Sequence, residues 1–502
     1  MAWDAVGNTI LPLIDIIKGN IPCIVYKGMT TSSYRSSIPK VQRALVLQGG
    51  GALGAYQAGV FKSLYEKIKR NQSGDNNEVP IFDIIAGTSI GAINGAILVS
   101  FFLENKTWKG SAERLESFWN YLSMPTPQIS EASKLWKTEY EKGTPHVASE
   151  ESARRYYSVK EFSKTGVKNV FGPIHPPKED NRFYDPQNQW LLFDNQPLRK
   201  SVEKFAKFPI ATSIDREEPR LLVISVDAAE GTTVTFDSYE SDIGKRETEY
   251  GDYLSGKSII IKYDEGINIK HVIASSTLPE VYAYEDIDGH KFWDGGLLSN
   301  TPIKELLDAH KRFWEKRIGS ENLEKSFRRK IKSKVNPINE YSKHHEDEQY
   351  DPRIPNLELY VVNLLDPKEN NDKNGKNIVP EDFDGVKDRH IDIEMSDGYD
   401  AKTDGLYTDY VNLIEKLISL GDNDQIIKEK IERILDDNTP RRFITEEMKK
   451  NIDILKSTFK IVKVVQIQRK DDRDSISGKL ADFTSETINK LMQDGYEDTL
   501  SK

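Results

Sequence analysis

The stretch IFDIIAGTSIGAINGAILVSFFL, residues 81–103, decides the fold. Ile81 to Ala86 is a short apolar run of the kind that forms a buried strand, and Gly87-Thr88-Ser89 supplies a turn. Ile90 to Leu103 is apolar on nearly every side, which predicts a core helix. The same order stands just upstream. Arg43 to Gln48 (RALVLQ) stops at Gly49-Gly50-Gly51, and the following Ala55 to Arg70 carries Tyr56, Val60, Leu64 and Ile68 at spacing four. Two strand-turn-helix units in succession imply a parallel sheet and an α/β fold.

Further strands are expected at Arg220–Val226, Thr232–Phe236, His290–Trp293, Leu357–Leu364 and Lys460–Gln468. A short helix is expected over Asn268–Ser276, ending before Pro279. Thr301-Pro302 is a good helix start, since proline at the first helical position forfeits no hydrogen bond, and the pattern carries that helix towards Lys330. Helices near Leu406–Leu420 and Gln425–Leu435 and a final one from about Ser485 complete the reading, without an internal repeat. Ser123 to Asn195 is rich in Pro, Gly, aromatic and charged residues without sustained periodicity, so an irregular insertion over about 123–200 is expected as a candidate lid. The expected organisation is an N-terminal segment (1–40), a catalytic domain (41–310) and a C-terminal extension (311–502) of helices and added strands packing on it.

Seventy Lys and Arg against 80 Asp and Glu leave a net charge of −10, which argues against general nucleic-acid binding. The single cysteine, Cys23, cannot form an internal disulfide and fits a reducing compartment. No secretory signal is read, and no run approaches the roughly 20 apolar residues of a spanning helix. A cytoplasmic or peripherally membrane-associated protein is expected, with leaderless secretion left open.

The chemistry is carried by three glycine-flanked turns. Gly87-Thr88-Ser89-Ile90-Gly91 is a GxSxG arrangement between a strand and a helix, where glycines clear space around a serine nucleophile and the helix N-terminus favours developing negative charge. Gly49-Gly50-Gly51-Ala52-Leu53-Gly54 admits two readings. It spells a dinucleotide-binding GxGxxG, yet the next strand ends in Ala86-Gly87-Thr88-Ser89, without the acidic residue that would hold the ribose. Alternatively its bare N–H groups form an oxyanion hole. The third turn is Asp294-Gly295-Gly296. Serine needs a base, and of the eight histidines His271, in a core helix, and His290, beside a hairpin turn, are weighed as triad partners, neither in a compelling context. An Asp–Ser dyad is the competing solution, provided its surroundings raise the aspartate pKa towards neutrality.

The order of these motifs, with the neighbouring text ALVLQGGGALGAYQAGV and FWDGGLLSNTPI, resembles the patatin-like phospholipase family over most of Ala44 to Leu307. The resemblance implies a three-layer α/β/α sandwich with a mainly parallel sheet, in which Ser89 attacks an ester carbonyl, Asp294 takes its proton, and water hydrolyses the acyl-enzyme. It implies oxyanion donors from Gly50 and Gly51, with Gly49 beside them, Gly54, Gly87, Gly91, Gly295 and Gly296 as motif glycines, and neither metal nor organic cofactor. Many relatives carry Arg or Lys where this chain has Leu53, which bears on phosphate preference more than on acyl chemistry. The expected activity is lipid acyl hydrolysis of phospholipase A or lysophospholipase type, at a peripheral membrane surface. Acyl transfer to another acceptor, a silent lipid-binding protein and a dinucleotide-dependent oxidoreductase are the alternatives.

Three other features read as structural. Lys325–Lys334 (KSFRRKIKSK) is a solvated basic helix face that is also suited to anionic headgroups, and His344-His345-Glu346-Asp347-Glu348 is surface. Trp136, Tyr156, Tyr157, Phe162, Phe183, Tyr184 and Trp190 in the insertion are expected either to line an acyl channel or touch a bilayer, or to form a small core of their own.

Overall fold

A computed structural model describes residues 38–71, 80–128, 150–174, 192–242, 244–251, 258–335, 352–365, 383–396, 458–470 and 474–502, with Val379 and Asp472. The two decisive units form as read: β1 (Val41–Leu47) leads to α1 (Ala55–Asn71), and β2 (Ile84–Thr88) to α2 (Ile90–Asn105). The chain continues through α3 (Ser111–Leu122), α4 (Glu150–Thr165), α5 (Gln196–Phe205), β3 (Arg220–Asp227), β4 (Thr232–Asp237), β5 (Glu247–Tyr250) and β6 (Ile259–Lys262). It closes with α6 (Ile269–Ala274), β7 (Glu285–Ile287), β8 (His290–Asp294), α7 (Ile303–Ile318), α8 (Ser320–Val335), β9 (Asn356–Asn363), α9 (Phe383–Glu394), β10 (Ile461–Gln468) and α10 (Ser485–Leu500).

The central sheet has the order β10-β9-β1-β2-β3-β8-β7, with β4 also on β3. The four pairings from β10 to β3 are parallel, and those made by β4, β8 and β7 are antiparallel. Its order crosses the expected boundary near residue 310, because β9 and β10 flank β1. Alternate residues of each central strand enter different cores. Leu45, Leu47, Ile85, Leu221 and Val223 meet α1, α2 and α3, whereas Ala44, Val46, Ile84, Leu222 and Ile224 meet Ile303, Leu306 and Trp314 of α7. This period of two, with helices on both faces, produces three α/β/α layers and explains why the strands read as unbroken apolar runs. Among the described residues, no helix is long and apolar enough to cross a membrane.

Two elements depart from expectation. The helix starting after Pro302 breaks at Gly319, whose φ of 85° ends α7 before α8 begins, so the basic run Lys325–Lys334 lies on a separate helix. Within the stretch read as irregular, α4 is regular. Its buried face is Ser152, Arg155, Ser158 and Phe162, so helical spacing is present but three of the four residues are polar. Arg155 is held there by Asp472 at 2.5 Å and Asp482 at 3.0 Å. Phe162 joins the main core, and Tyr156 packs edge-on against Tyr157. Trp136, Phe183, Tyr184, Trp190, His344, His345 and the helices expected at 406–420 and 425–435 lie outside the described residues.

Candidate active site

β2 pairs with β3 through Thr88 and Ile224, and β8 pairs with β3 from Asp294 and Ser225 onward. β4 occupies the opposite edge of β3 along all of Leu222 to Asp227. β2 and β8 therefore share one lane and meet end to end, which brings Ser89, just after β2, to Asp294, the last residue of β8. The reversal of strand direction at this point is what makes the meeting possible.

Ser89 has φ 55° and ψ −125°, a conformation that a non-glycine residue adopts only when its surroundings impose it. The surroundings here are close backbone contacts. A Cβ on Gly91 would stand 2.2 Å from the Leu47 carbonyl oxygen, so α2 lies too near β1 for any other residue. The Ser89 N–H donates to Ser275 Oγ at 2.8 Å, and that hydroxyl donates in turn to the Ile224 carbonyl. Thr88 Oγ1 donates to the Ser299 carbonyl at 2.8 Å, tying the elbow to the segment after Asp294.

Asp294 is 2 % exposed. Burial pushes its carboxyl up to about 7, against the opposing pull of hydrogen bonds from the Gly296 N–H and the Ser89 side chain. The Gly296 N–H donates to Asp294 Oδ1 at 2.7 Å, and the Asp294 N–H to the Thr277 carbonyl at 2.9 Å, so both the carboxylate and its backbone are held. A buried acid near neutrality, set beside a serine, is able to exchange that serine's proton.

The glycine turn after β1 is braced by Asn300, which is buried. The Gly49 N–H donates to the Asn300 carbonyl at 3.2 Å, and Asn300 Nδ2 donates back to the Gly49 carbonyl at 3.2 Å and to the Met395 carbonyl at 2.7 Å. Gly49 is thereby spent on the scaffold. The N–H groups of Gly50 and Gly51 make no hydrogen bond among the described residues. Gly51 has φ 53°, and the Leu480 carbonyl lies so close that a Cβ there would meet it at 2.3 Å. Beneath the turn, Asn94 of α2 donates to the Gly54 carbonyl at 3.1 Å and to Gln57 at 2.8 Å, and accepts from Trp119 Nε1 at 3.1 Å. Gly54 itself packs against Ile90 and Trp119.

Neither histidine reaches this site. His271 is buried between Phe236 and Tyr263, and its Nδ1 accepts the Asn268 N–H at 2.9 Å. Burial lowers its pKa to about 4. His290 begins β8 while Asp294 ends it, and its Nδ1 faces Asp227 at 3.3 Å. Ser275, Asn300, Asn94 and Met395 were not singled out from the sequence. Asn300 alone had a signal, its place in LLSNTP directly after the Asp294 turn.

The patatin-like phospholipase model matches residues 45–307, a little over half of the 502 residues and all three glycine turns. No curated protein matches the chain. Among solved structures, VipD from Legionella pneumophila is similar over 93% of this chain and 67% of its own, at 11% identity and a TM-score of 0.27. The family match, on a mostly parallel sheet flanked by helices, shows that the chain belongs to the patatin-like phospholipase family, a family of lipid acyl hydrolases.

Proposed function

We propose that this protein hydrolyses carboxylic esters of membrane lipids, in the manner of a phospholipase A or lysophospholipase, with Ser89 as nucleophile and Asp294 as its base. Ionised Asp294 accepts the Ser89 proton as Oγ attacks the acyl carbonyl. The N–H groups of Gly50 and Gly51 receive the oxyanion, an interaction worth roughly 10²–10³ in rate for each donor elsewhere. Asp294 returns the proton to the departing alkoxide, which leaves as the alcohol. Water then attacks the acyl-enzyme while Asp294 takes its proton, and the fatty acid leaves as Ser89 is reprotonated. Leu53 is fully buried, so the glycine turn contributes backbone dipoles rather than a side-chain charge at this position.

The observation that carries the reading is the end-to-end meeting of β2 and β8, which sets Ser89 beside Asp294, a buried carboxyl pushed up to about 7. The test is fatty-acid release from mixed phospholipid vesicles by the full chain, run beside Ser89→Ala and with chelator present. Release that needs Ser89 and ignores chelator supports the proposal. Folded protein that neither releases fatty acid nor takes up a covalent serine-hydrolase probe at Ser89 refutes it.

A further inference from the structure

Helix α9 is built with its polar face inward. In FDGVKDRHIDIE, Asp384, Asp388 and Asp392 recur every fourth residue along one face, and Phe383, Val386 and Ile393 lie along the opposite one. The acidic face is the one turned to the protein. Lys479, 1% exposed, places Nζ 2.5 Å from Asp392 and 3.0 Å from Asp388. Ser475 Oγ donates to Asp388 at 2.6 Å, and the Ser477 N–H to Asp384 at 3.2 Å. The apolar face is turned to solvent, with Phe383 77%, Val386 50% and Ile393 55% exposed. A helix whose only neighbours were protein and water would have the opposite arrangement.

The C-terminal end of this helix adjoins the site. The residue after α9, Met395, accepts the hydrogen bond of Asn300, and Lys479 opens the turn whose Leu480 carbonyl backs Gly51. Leu297 and Leu298, directly after the Asp294 turn, are also exposed. At the rim, Lys387 Nζ lies 4.4 Å from the Phe383 ring centroid, an apolar stem and a cation side by side.

We propose that the outward face of α9, together with Leu297 and Leu298, docks on the surface of a lipid bilayer and so sets the mouth of the site against it; this rests on the reading that the substrate is a lipid ester. Three observations favour a bilayer as the occupant. The apolar stripe is anchored by charge rather than by core packing, it carries a cation at its edge suited to anionic headgroups, and it lies on the helix whose following residue, Met395, holds Asn300 of the site.

The test uses the full chain bearing Ser89→Ala, so that binding is read without turnover, and sedimentation with vesicles of phosphatidylcholine and phosphatidylglycerol. Adding Phe383→Asp and Ile393→Asp is expected to reduce partition by about tenfold or more, since the two large apolar side chains lost from the interface together forfeit at least that factor. Unchanged partition in a variant with an unaltered circular-dichroism spectrum overturns the proposal, as does a parent that does not bind vesicles. An environment-sensitive label on Phe383→Cys, in a Cys23→Ser background, is expected to shift to the blue when vesicles are added. A label already blue-shifted without vesicles shows that this chain or a second copy covers the face, and the proposal then fails. Absence of fatty-acid release by the chain with Ser89 intact, beside unimpaired partition, would refute only the hydrolase reading.

Discussion

Replacing Asp294 by asparagine is expected to abolish turnover and yet stabilise the protein at alkaline pH. The carboxyl has an ordinary value of 3.8 and is raised to about 7 by burial. Between these limits the folded protein keeps a proton that the unfolded chain has released, so stability falls as pH rises and the full cost is present above pH 7. Roughly three pH units at about 1.4 kcal/mol each give about 4 kcal/mol as an upper bound. Asparagine carries no charge to desolvate and retains an oxygen to accept the Gly296 N–H. In urea unfolding, Asp294→Asn is therefore expected to exceed the parent by up to about 4 kcal/mol at pH 8, with the gap shrinking by roughly 2–3 kcal/mol at pH 5. A variant no more stable than the parent at pH 8, or a gap independent of pH, would falsify the argument that burial raises this carboxyl.

If Asp294 acts as the base, kcat/KM for a soluble ester rises with pH and reaches half its plateau near 7, and a flat profile down to pH 5 removes Asp294 from that role. Ser275→Ala deprives the Ser89 N–H of its acceptor and is expected to lower kcat by about tenfold with little change in KM, read by steady-state kinetics; an unchanged kcat would show that the elbow holds itself. Gly91→Ala drives a methyl against the Leu47 carbonyl, 2.2 Å from its Cβ position, and is expected to cost about 3 kcal/mol or more in urea unfolding. A loss under 1 kcal/mol there would mean that α2 shifts freely against β1.

Local pattern carried the catalytic half of the fold. The apolar runs before Gly49 and Gly87 are unbroken because both faces of β1 and β2 are covered, and a glycine turn after each stops the strand cleanly. Ser89 and Asp294 were legible as motif residues, but not as neighbours. Their approach depends on β8 entering the lane of β2, a property of sheet order that no window of sequence contains. Helix α4 escaped notice because what it buries is Arg155 with two serines, a polar stripe stabilised by Asp472 and Asp482 more than 300 residues away. Asn300 and Ser275 escaped for a related reason, since their partners, the turn at Gly49 and the elbow at Ser89, are distant in the chain. The oxyanion reading of Gly49 loses its donor in the same way, to a carbonyl 251 residues on.

The Leu480 carbonyl behind Gly51 has a consequence for the making of the protein. A ribosome emits the Gly51 turn and Ser89 early, and at about 5–20 residues per second the strut behind that turn follows ~20–80 s later. For most of that interval β1 also lacks β9 and β10 on its flank. A nascent polypeptide thus carries Ser89 beside a glycine turn that is still unsupported, and acquires the finished turn only when the segment carrying Leu480 folds back. On the proposed mechanism, translation itself withholds hydrolytic power from the growing chain until the segment around Leu480 has been made and has folded back.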